Sequence, residues 1–92
     1  PSVDYLFRSV AQVYGGQVTA VVMTGMGCDG KAGLRILKQK GAFSIAQDRQ
    51  TCVVYGMPKE VIEAGLADRV APLDQIPELI VRSVRNPRLA DI

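Results

Sequence analysis

The chain has 92 residues, of which 48% are hydrophobic and 22% are charged, and its formal net charge is +2. This composition is typical of one small globular domain, or of part of a larger one, and not of a disordered chain. The basic residues are scattered and aromatic residues make up only 5%, which argues against nucleic acid as a partner. No apolar run approaches the ~20 residues that cross a bilayer, so direct membrane insertion is not expected.

The numbers of histidines and cysteines limit the reactions and the cellular setting that can be expected for this chain. The chain contains no histidine, so the commonest general base and the commonest metal ligand would have to come from outside these residues. The cysteines, Cys28 and Cys52, are too few for the disulfide framework of a small secreted protein. No signal peptide is visible. Together these features favour a reduced, cytoplasmic setting.

Helical and strand patterns alternate along the chain. Apolar residues at helical spacing predict a first helix, and this set comprises Val3, Leu6, Phe7, Val10, Val13 and Tyr14. Residues 17–24 are apolar on both faces, which is typical of a buried parallel strand. Residues 31–41 predict a second helix that ends at Gly41, and residues 42–47 predict a second strand. Residues 52–57 form either a third extended segment or the lead-in to the next helix.

The last third of the chain continues this alternation. Pro58 suits the first position of a third helix, and residues 68–73 predict a short final strand. Asp74 is placed to cap the last helix, whose predicted apolar stripe consists of Ile76, Leu79, Ile80 and Val84. The order indicates an α/β fold with a doubly wound, mostly parallel sheet and helices on both faces. Three or four strands leave such a sheet half-covered, so residues 1–92 are expected to be the C-terminal part of a larger domain.

The glycine loop, residues 24–33 with the sequence TGMGCDGKAG, follows the first strand and opens the second helix. It fits two phosphate-binding patterns in part. The nucleoside-triphosphate loop requires Ser or Thr where this chain has Ala32. The dinucleotide fingerprint is met by Gly25, Gly27 and Gly30, and Asp48 lies about twenty positions on, where a ribose-binding carboxylate is expected. Both patterns conflict with Asp29, which sets a negative charge where the phosphates would lie.

Asp29 itself has two interpretations. A carboxylate at a helix N-terminus serves as an ordinary cap, because free backbone N–H groups and the helix dipole stabilise it. Three glycines in six residues are more than a cap needs, however, and they let another group approach closely. A fixed carboxylate at the carboxyl edge of a sheet suits the acid that orients the imidazole in a Ser-His-Asp system. Cys28, next to Asp29, is a poor nucleophile because the carboxylate opposes thiolate formation.

Three motifs, in this order, closely resemble the C-terminal half of the catalytic domain of bacterial chemotaxis protein-glutamate methylesterases of the CheB type. They are Thr24-Gly25-Met26-Gly27-x-Asp29-Gly30, Ala46-Gln47-Asp48 and Tyr55-Gly56-Met57-Pro58. Residues 1–11 are similar to the segment that leads into this half, so the resemblance runs from Pro1 to about Ile80. It makes residues 1–92 the C-terminal portion of a single catalytic domain.

The resemblance implies a serine hydrolase that demethylates glutamate methyl esters on chemoreceptors and deamidates certain receptor glutamines. By position it makes Asp29 the acid of the catalytic triad, and it places Met26 and Gly27 on the loop beside the oxyanion and the substrate. It implies no cofactor and no metal. The nucleophilic serine and the histidine of the family lie upstream of these residues, so this segment alone is expected to be inactive.

The resemblance also implies partners, namely the cytoplasmic helices of methylated chemoreceptors and a response-regulator domain that precedes the enzyme. From the residues alone, two alternatives stay open: a nucleotide-binding module that uses Gly25, Gly27 and Gly30, and an interaction domain without chemistry. Arg49 either contacts an acidic receptor helix or lies in a solvated turn, and Tyr55 and Met57 either line the cleft or pack beneath the loop.

The remaining candidate nucleophiles have ordinary interpretations. The serines lack an imidazole partner and are expected to be capping or surface residues; they are Ser2, Ser9, Ser44 and Ser83. Cys52 lies in an apolar run and is expected to be a small buried hydrophobic residue.

Overall fold

A three-stranded parallel sheet forms the centre of the fold. The structure, a computed structural model, describes residues 2–25 and 30–85. The strands are β1 (Thr19–Val22), β2 (Phe43–Gln47) and β3 (Arg69–Ala71), in the spatial order β1-β2-β3. Thr19 pairs with Phe43, and Ile45 pairs with Arg69. Parallel neighbours require crossover connections, and helices supply them here.

Helices cover both faces of this sheet. Within the described residues they are α1 (Ser2–Tyr14), α2 (Lys31–Gln39), α3 (Gly56–Glu63) and α4 (Ile76–Arg85), and a 3-10 turn at Leu73–Gln75 precedes the last. Helices α2 and α3 pack on one face and α1 packs against α2, whereas α4 packs on the opposite face. The predicted α/β class is therefore confirmed. None of the helices in the described ranges is long and apolar enough to span a membrane.

The core is divided between the two faces of the sheet. Ala20, Val22 and Ala46 lie in the cluster beneath α2 and α3, together with Leu34 and Leu37. Strand residues that point to the other face lie beneath α4. Their buried members are Phe43, Ile45 and Ala71, which cluster with Ile76 of α4. Because β2 is central, all five of its residues are buried, and they include the polar residues Ser44 and Gln47. Burying a side chain such as Leu34 stabilises the fold by about 1.5–3 kcal/mol.

Helix α1 buries a narrower face than its sequence pattern predicts. Ala11 is only 3% exposed and Phe7 packs against the core. In contrast, Leu6, Val13 and Tyr14 are 56%, 73% and 61% exposed. Helical spacing therefore predicts the helix but overestimates how much of it is covered by the described residues.

At the segment ends, the structure decides one open alternative and corrects two predictions. Residues 52–55 form the lead-in to α3 and contact the glycine loop through the Gly25–Tyr55 bridge and through Val54, so the second alternative holds. Helix α3 begins at Gly56, so Pro58 is its third residue and not its first. This is tolerated because the first N–H groups of a helix have no intrahelical acceptor. Asp74 lies within the 3-10 turn before α4 and does not cap that helix.

The predicted apolar stripe of α4 is also corrected at one position. Ile76 is 2% exposed, and Leu79 and Ile80 pack against the same cluster. Val84 is 71% exposed, whereas Ser83 is only 8% exposed. Ser83 is buried without cost because its hydroxyl donates to the Ile80 carbonyl at 2.8 Å and lies 2.7 Å from the Thr19 hydroxyl.

Candidate functional site

The loops that follow all three strands meet at the carboxyl edge of the sheet. β1 leads into Thr24 and Gly25, β2 leads into Asp48 and the turn at 49–51, and β3 leads into Leu73. In open parallel α/β sheets, ligands and catalytic groups gather at this edge. The glycine loop therefore starts where the sequence pattern predicts a site.

The residues that the resemblance assigns to catalysis are Asp29, Met26 and Gly27. They lie outside the described residues, as does Cys28. The structure describes both ends of their loop, which are Thr24 and Gly25 on one side and Gly30 on the other. The geometry of the candidate site is therefore given by the contacts that hold these two ends.

The first end of the glycine loop is fixed by the segment before α3. The Thr24 hydroxyl accepts a hydrogen bond from the Val54 N–H at 2.8 Å and donates to the Val54 carbonyl at 3.1 Å. The Gly25 N–H donates to the same carbonyl at 2.9 Å, and the Gly25 carbonyl accepts from the Met57 N–H at 3.0 Å. A Cβ atom at Gly25 would lie 2.9 Å from the Met57 sulfur, so a larger residue there would require the Met57 side chain to shift.

The second end of the loop packs on α1. Gly30 is buried, has φ of 103°, and would place a Cβ atom 2.8 Å from the Val3 side chain. It is the N-cap residue of α2 and provides no side-chain cap. Instead, the Asp4 carboxylate on α1 accepts a hydrogen bond from the Gly33 N–H at 2.7 Å. Gly33 is the third residue of α2, so one of the first N–H groups of this helix, which have no intrahelical acceptor, is bonded by α1.

Gln47 connects the loops at the centre of this edge. Gln47 is the last residue of the central strand β2, and it is 1% exposed. The Gln47 Oε1 atom accepts from the Thr24 N–H at 2.9 Å, and its Nε2 atom donates to the Thr51 carbonyl at 2.8 Å. A buried amide with both ends bonded is stable, whereas loss of one partner would leave a polar group unsatisfied. Gln47 therefore ties the start of the glycine loop to the loop after β2.

Thr51 extends this network to the third strand. Its hydroxyl donates to Asp48 Oδ1 at 2.7 Å and accepts from the Leu73 N–H at 3.0 Å. The same Asp48 oxygen accepts from the Thr51 N–H at 3.0 Å. Asp48 thus closes the turn at 49–51, in the way an aspartate commonly does through local hydrogen bonds. The loops after β1, β2 and β3 are consequently joined by one chain of hydrogen bonds.

A cavity of about 470 Å³ opens beside this network. It is lined by Arg49, Tyr55, Gly56, Lys59 and Glu63. A second cavity, of about 410 Å³, lies at the opposite, amino edge near Thr19, Phe43 and Ser83. Only the first adjoins the glycine loop, because Tyr55 bridges to Gly25. Of the two aromatic and sulfur-bearing candidates, Tyr55 lines this cavity and Met57 packs against the core beneath the loop.

Cys52 is half-buried at this edge and not fully buried as predicted. Burial raises the pKa of its thiol above the ordinary value, and the nearby Asp48 carboxylate raises that pKa further. Both effects disfavour the reactive thiolate. Cys52 therefore lacks the environment of a nucleophile. Among the described residues, no group of three Cys, Asp or Glu side chains could hold a metal ion.

The serine predictions are corrected by the structure at two positions. Ser44 is 1% exposed and Ser83 is 8% exposed, so neither is a surface residue. The Ser44 hydroxyl donates to the Leu66 carbonyl and its N–H donates to Asp68 Oδ2 at 2.7 Å. Each serine is bonded into the packing of β2 or α4, and neither faces the carboxyl edge.

Sequence reasoning missed the supporting residues of the site. Asp4 and Gly33 are 29 positions apart, and Thr24 and Gln47 are 23 apart, so no local spacing links them. The available signals were the polar side chain of Gln47 at the end of a strand expected to be buried, and the presence of Thr24 and Gln47 in the family motifs. Buried polar side chains are commonly bonded in this way.

Comparisons with known proteins converge on one family. The family described as CheB methylesterase matches residues 1–80. A protein-glutamate methylesterase/protein-glutamine glutaminase from Desulfotalea psychrophila is 60% identical over 85 residues, which are 92% of this chain and 23% of that protein. The protein of the same name from Desulfitobacterium hafniense is 52% identical over 86 residues, covering 94% of this chain and 22% of its own length.

A solved structure agrees with these sequence matches. The CheB methylesterase catalytic domain of Thermotoga maritima has a TM-score of 0.83 and 46% identity, covering 86% of this chain and 42% of the other. The chain therefore spans about a quarter of the curated relatives and less than half of the solved catalytic domain.

Proposed function

The chain belongs to the CheB methylesterase family, and on this premise we propose that residues 1–92 are the C-terminal portion of one serine-hydrolase catalytic domain. The complete enzyme would hydrolyse methyl esters of glutamate side chains on chemoreceptors and deamidate receptor glutamines. The relatives are named protein-glutamate methylesterase/protein-glutamine glutaminase, and these names support the assignment. A response-regulator domain preceding the enzyme and a cytoplasmic location belong to the same proposal.

In the proposed mechanism, Asp29 is the orienting acid. A serine hydroxyl attacks the ester carbonyl, and a histidine takes the hydroxyl proton and returns it to the departing methanol. Water then hydrolyses the acyl-enzyme by the same base. Asp29 accepts the second ring N–H of the histidine, which holds the imidazole in the required tautomer. Met26 and Gly27 would lie beside the developing oxyanion.

The observation that carries this proposal is the fixation of the glycine loop at both ends. Thr24 and Gly25 are bonded to Gln47, Val54 and Met57 at the carboxyl edge, and Gly30 is packed against α1. Asp29 is joined directly to Gly30. An orienting carboxylate needs such a rigid support, because catalytic geometry tolerates only small displacements.

The nucleotide-binding alternative has less support. The Asp48 carboxylate, its candidate ribose ligand, accepts two hydrogen bonds from Thr51 and serves the local turn. The relatives reported above are named as methylesterases and glutaminases. We therefore retain the hydrolase as the proposed function.

The test is Asp29→Asn in the full-length enzyme. In serine proteases, the corresponding substitution lowers kcat by about 10⁴ because the histidine adopts the wrong tautomer, and we expect a loss of similar size in methanol release from methylated receptors. Glu78→Gln, an exposed acid on α4, makes the same charge change and should retain activity. Near-normal turnover of a folded Asp29→Asn variant would refute the assignment.

A second test uses the segment alone. Since the chain contains no histidine, residues 1–92 should release no methanol from a methylated receptor above the buffer rate. Clear hydrolysis by the isolated segment would show that the triad assignment is wrong.

A further inference from the structure

The cavity beside the glycine loop is lined by two positively charged side chains and one negatively charged side chain. Arg49 and Lys59 are both exposed and both line it. Within residues 2–25 and 30–85, neither side chain forms an ion pair, whereas Lys31 pairs with Glu60 and Lys38 pairs with Asp68. An exposed cation without a partner at a concave surface is free to bind an external anion.

Within the described ranges, the carboxylates near this cavity form no ion pair with either cation. Asp48, next to Arg49 in sequence, directs its Oδ1 atom to the N–H and hydroxyl of Thr51. Glu63 also lines the cavity and lies one helical turn after Lys59 on the same side of α3, without forming an ion pair with it. The lining residues therefore carry two positive charges and one negative charge. Gly56 begins α3 at this cavity, so the positive end of the helix dipole adds to the same potential.

The cavity lies next to the loop that carries the proposed catalytic acid. Tyr55, in its wall, bridges to Gly25 at the start of the loop that contains Asp29. A group bound between Arg49 and Lys59 would consequently lie at the edge of the sheet where the glycine loop begins. The second cavity, at the amino edge, has no charged residue in its lining and offers no such relation.

We propose that this cavity binds a carboxylate side chain of the substrate protein, on the acidic segment that carries the residue to be hydrolysed. This inference rests on the proposed function and assigns Arg49 and Lys59 as specificity determinants of the same site. Electrostatic complementarity of this kind raises the association rate and selects the partner more than it changes the chemical step. The enzyme should therefore prefer esters in acidic surroundings.

The experiment compares two peptides in the full-length enzyme. Each carries one glutamate methyl ester, flanked by glutamates in one peptide and by glutamines in the other. We expect the wild-type enzyme to favour the acidic peptide by about five- to tenfold in kcat/KM, since each exposed charge pair contributes modestly. Arg49→Gln/Lys59→Gln should bring this ratio close to one, mainly through a higher KM. The wild-type preference should also shrink as salt concentration rises.

A matched variant controls for net charge. Arg35→Gln/Lys40→Gln removes two exposed positive charges from α2 and its C-cap, and it should keep the preference of the wild type. Inorganic phosphate serves as a competitor. Weak inhibition of acidic-peptide cleavage, at concentrations matched for ionic strength with NaCl, would support a carboxylate subsite, whereas stoichiometric phosphate binding would contradict it.

The outcomes separate this inference from the proposed function. Equal cleavage of both peptides by the wild type, or an unchanged preference in Arg49→Gln/Lys59→Gln, would overturn the subsite while leaving the hydrolase intact. Failure of the wild type to cleave either peptide or a methylated receptor would overturn the proposed function itself.

Discussion

The two edges of the sheet hold their polar groups in different ways. At the amino edge, Asp68 accepts hydrogen bonds from the Lys38 ammonium and the Ser44 N–H, and Lys38 also donates to the Ala42 carbonyl at 2.8 Å. These charges are paired with one another. At the carboxyl edge, the buried connector is the neutral amide of Gln47, and the charged side chains of Arg49 and Lys59 face a cavity without a described partner.

This difference indicates a division of roles along the same three strands. The amino-edge network satisfies its own charges, so it can stabilise the fold but offers little to a ligand. The carboxyl-edge network orders three loops while leaving charge available. A buried amide suits this purpose because it bonds a donor and an acceptor without the desolvation cost of an ion. The comparison predicts that mutations at the two edges affect stability and activity in different proportions.

The largest effect should come from the carboxyl edge. Gln47→Leu removes the acceptor of the Thr24 N–H and the donor to Thr51, so the described part of the glycine loop loses its only hydrogen bond to the central strand. In the full-length enzyme we expect kcat to fall about a hundredfold, as small displacements of catalytic groups produce, and the free energy of unfolding to fall by about 2 kcal/mol. Steady-state kinetics and chemical denaturation measure the two effects. A stability loss without a change in kcat would contradict the role of Gln47.

The amino edge supplies the matched comparison. Asp68→Ala leaves the Lys38 ammonium and the Ser44 N–H without their shared acceptor, and both side chains of the ion pair are less than a quarter exposed. We expect the free energy of unfolding to fall by about 3 kcal/mol, while kcat of the folded enzyme stays within about twofold of the wild type. Asp68→Asn retains an acceptor and should lose less stability. A large fall in kcat for Asp68→Ala would contradict the claim that the amino edge contributes to stability and not to catalysis.

The smallest effect concerns Cys52. Its raised pKa, caused first by burial and then by the Asp48 carboxylate, means that the thiol stays protonated until the pH exceeds the ordinary thiol value. Alkylation by iodoacetamide, followed by mass spectrometry of the Cys52 peptide across a pH series, should therefore have a high midpoint. Asp48→Asn keeps an acceptor for Thr51 but removes the charge, so the midpoint should move down. A wild-type midpoint below that of a free thiol would contradict this environment.

The sequence predicts the regular elements well because their signals are local. The apolar residues Phe43, Ile45 and Ala46 indicate the strand β2. Gly41, with φ of 95°, marks the end of α2. The exposure of Leu6 could not be predicted, since helical spacing shows that a face is apolar and not whether anything covers it. The support of the site was also out of reach, because Asp4 and Gln47 act on residues that are distant in the chain.

The central claim is that the glycine loop presents Asp29 to a histidine supplied by the rest of the domain. The most direct measurement is the distance between the Asp29 carboxylate and the imidazole nitrogens in a crystal structure of the full-length enzyme. We predict an N–H···O distance of about 2.7–3.2 Å, the range of a hydrogen bond. An Asp29 side chain turned into solvent, or a phosphate bound in its place, would contradict the account.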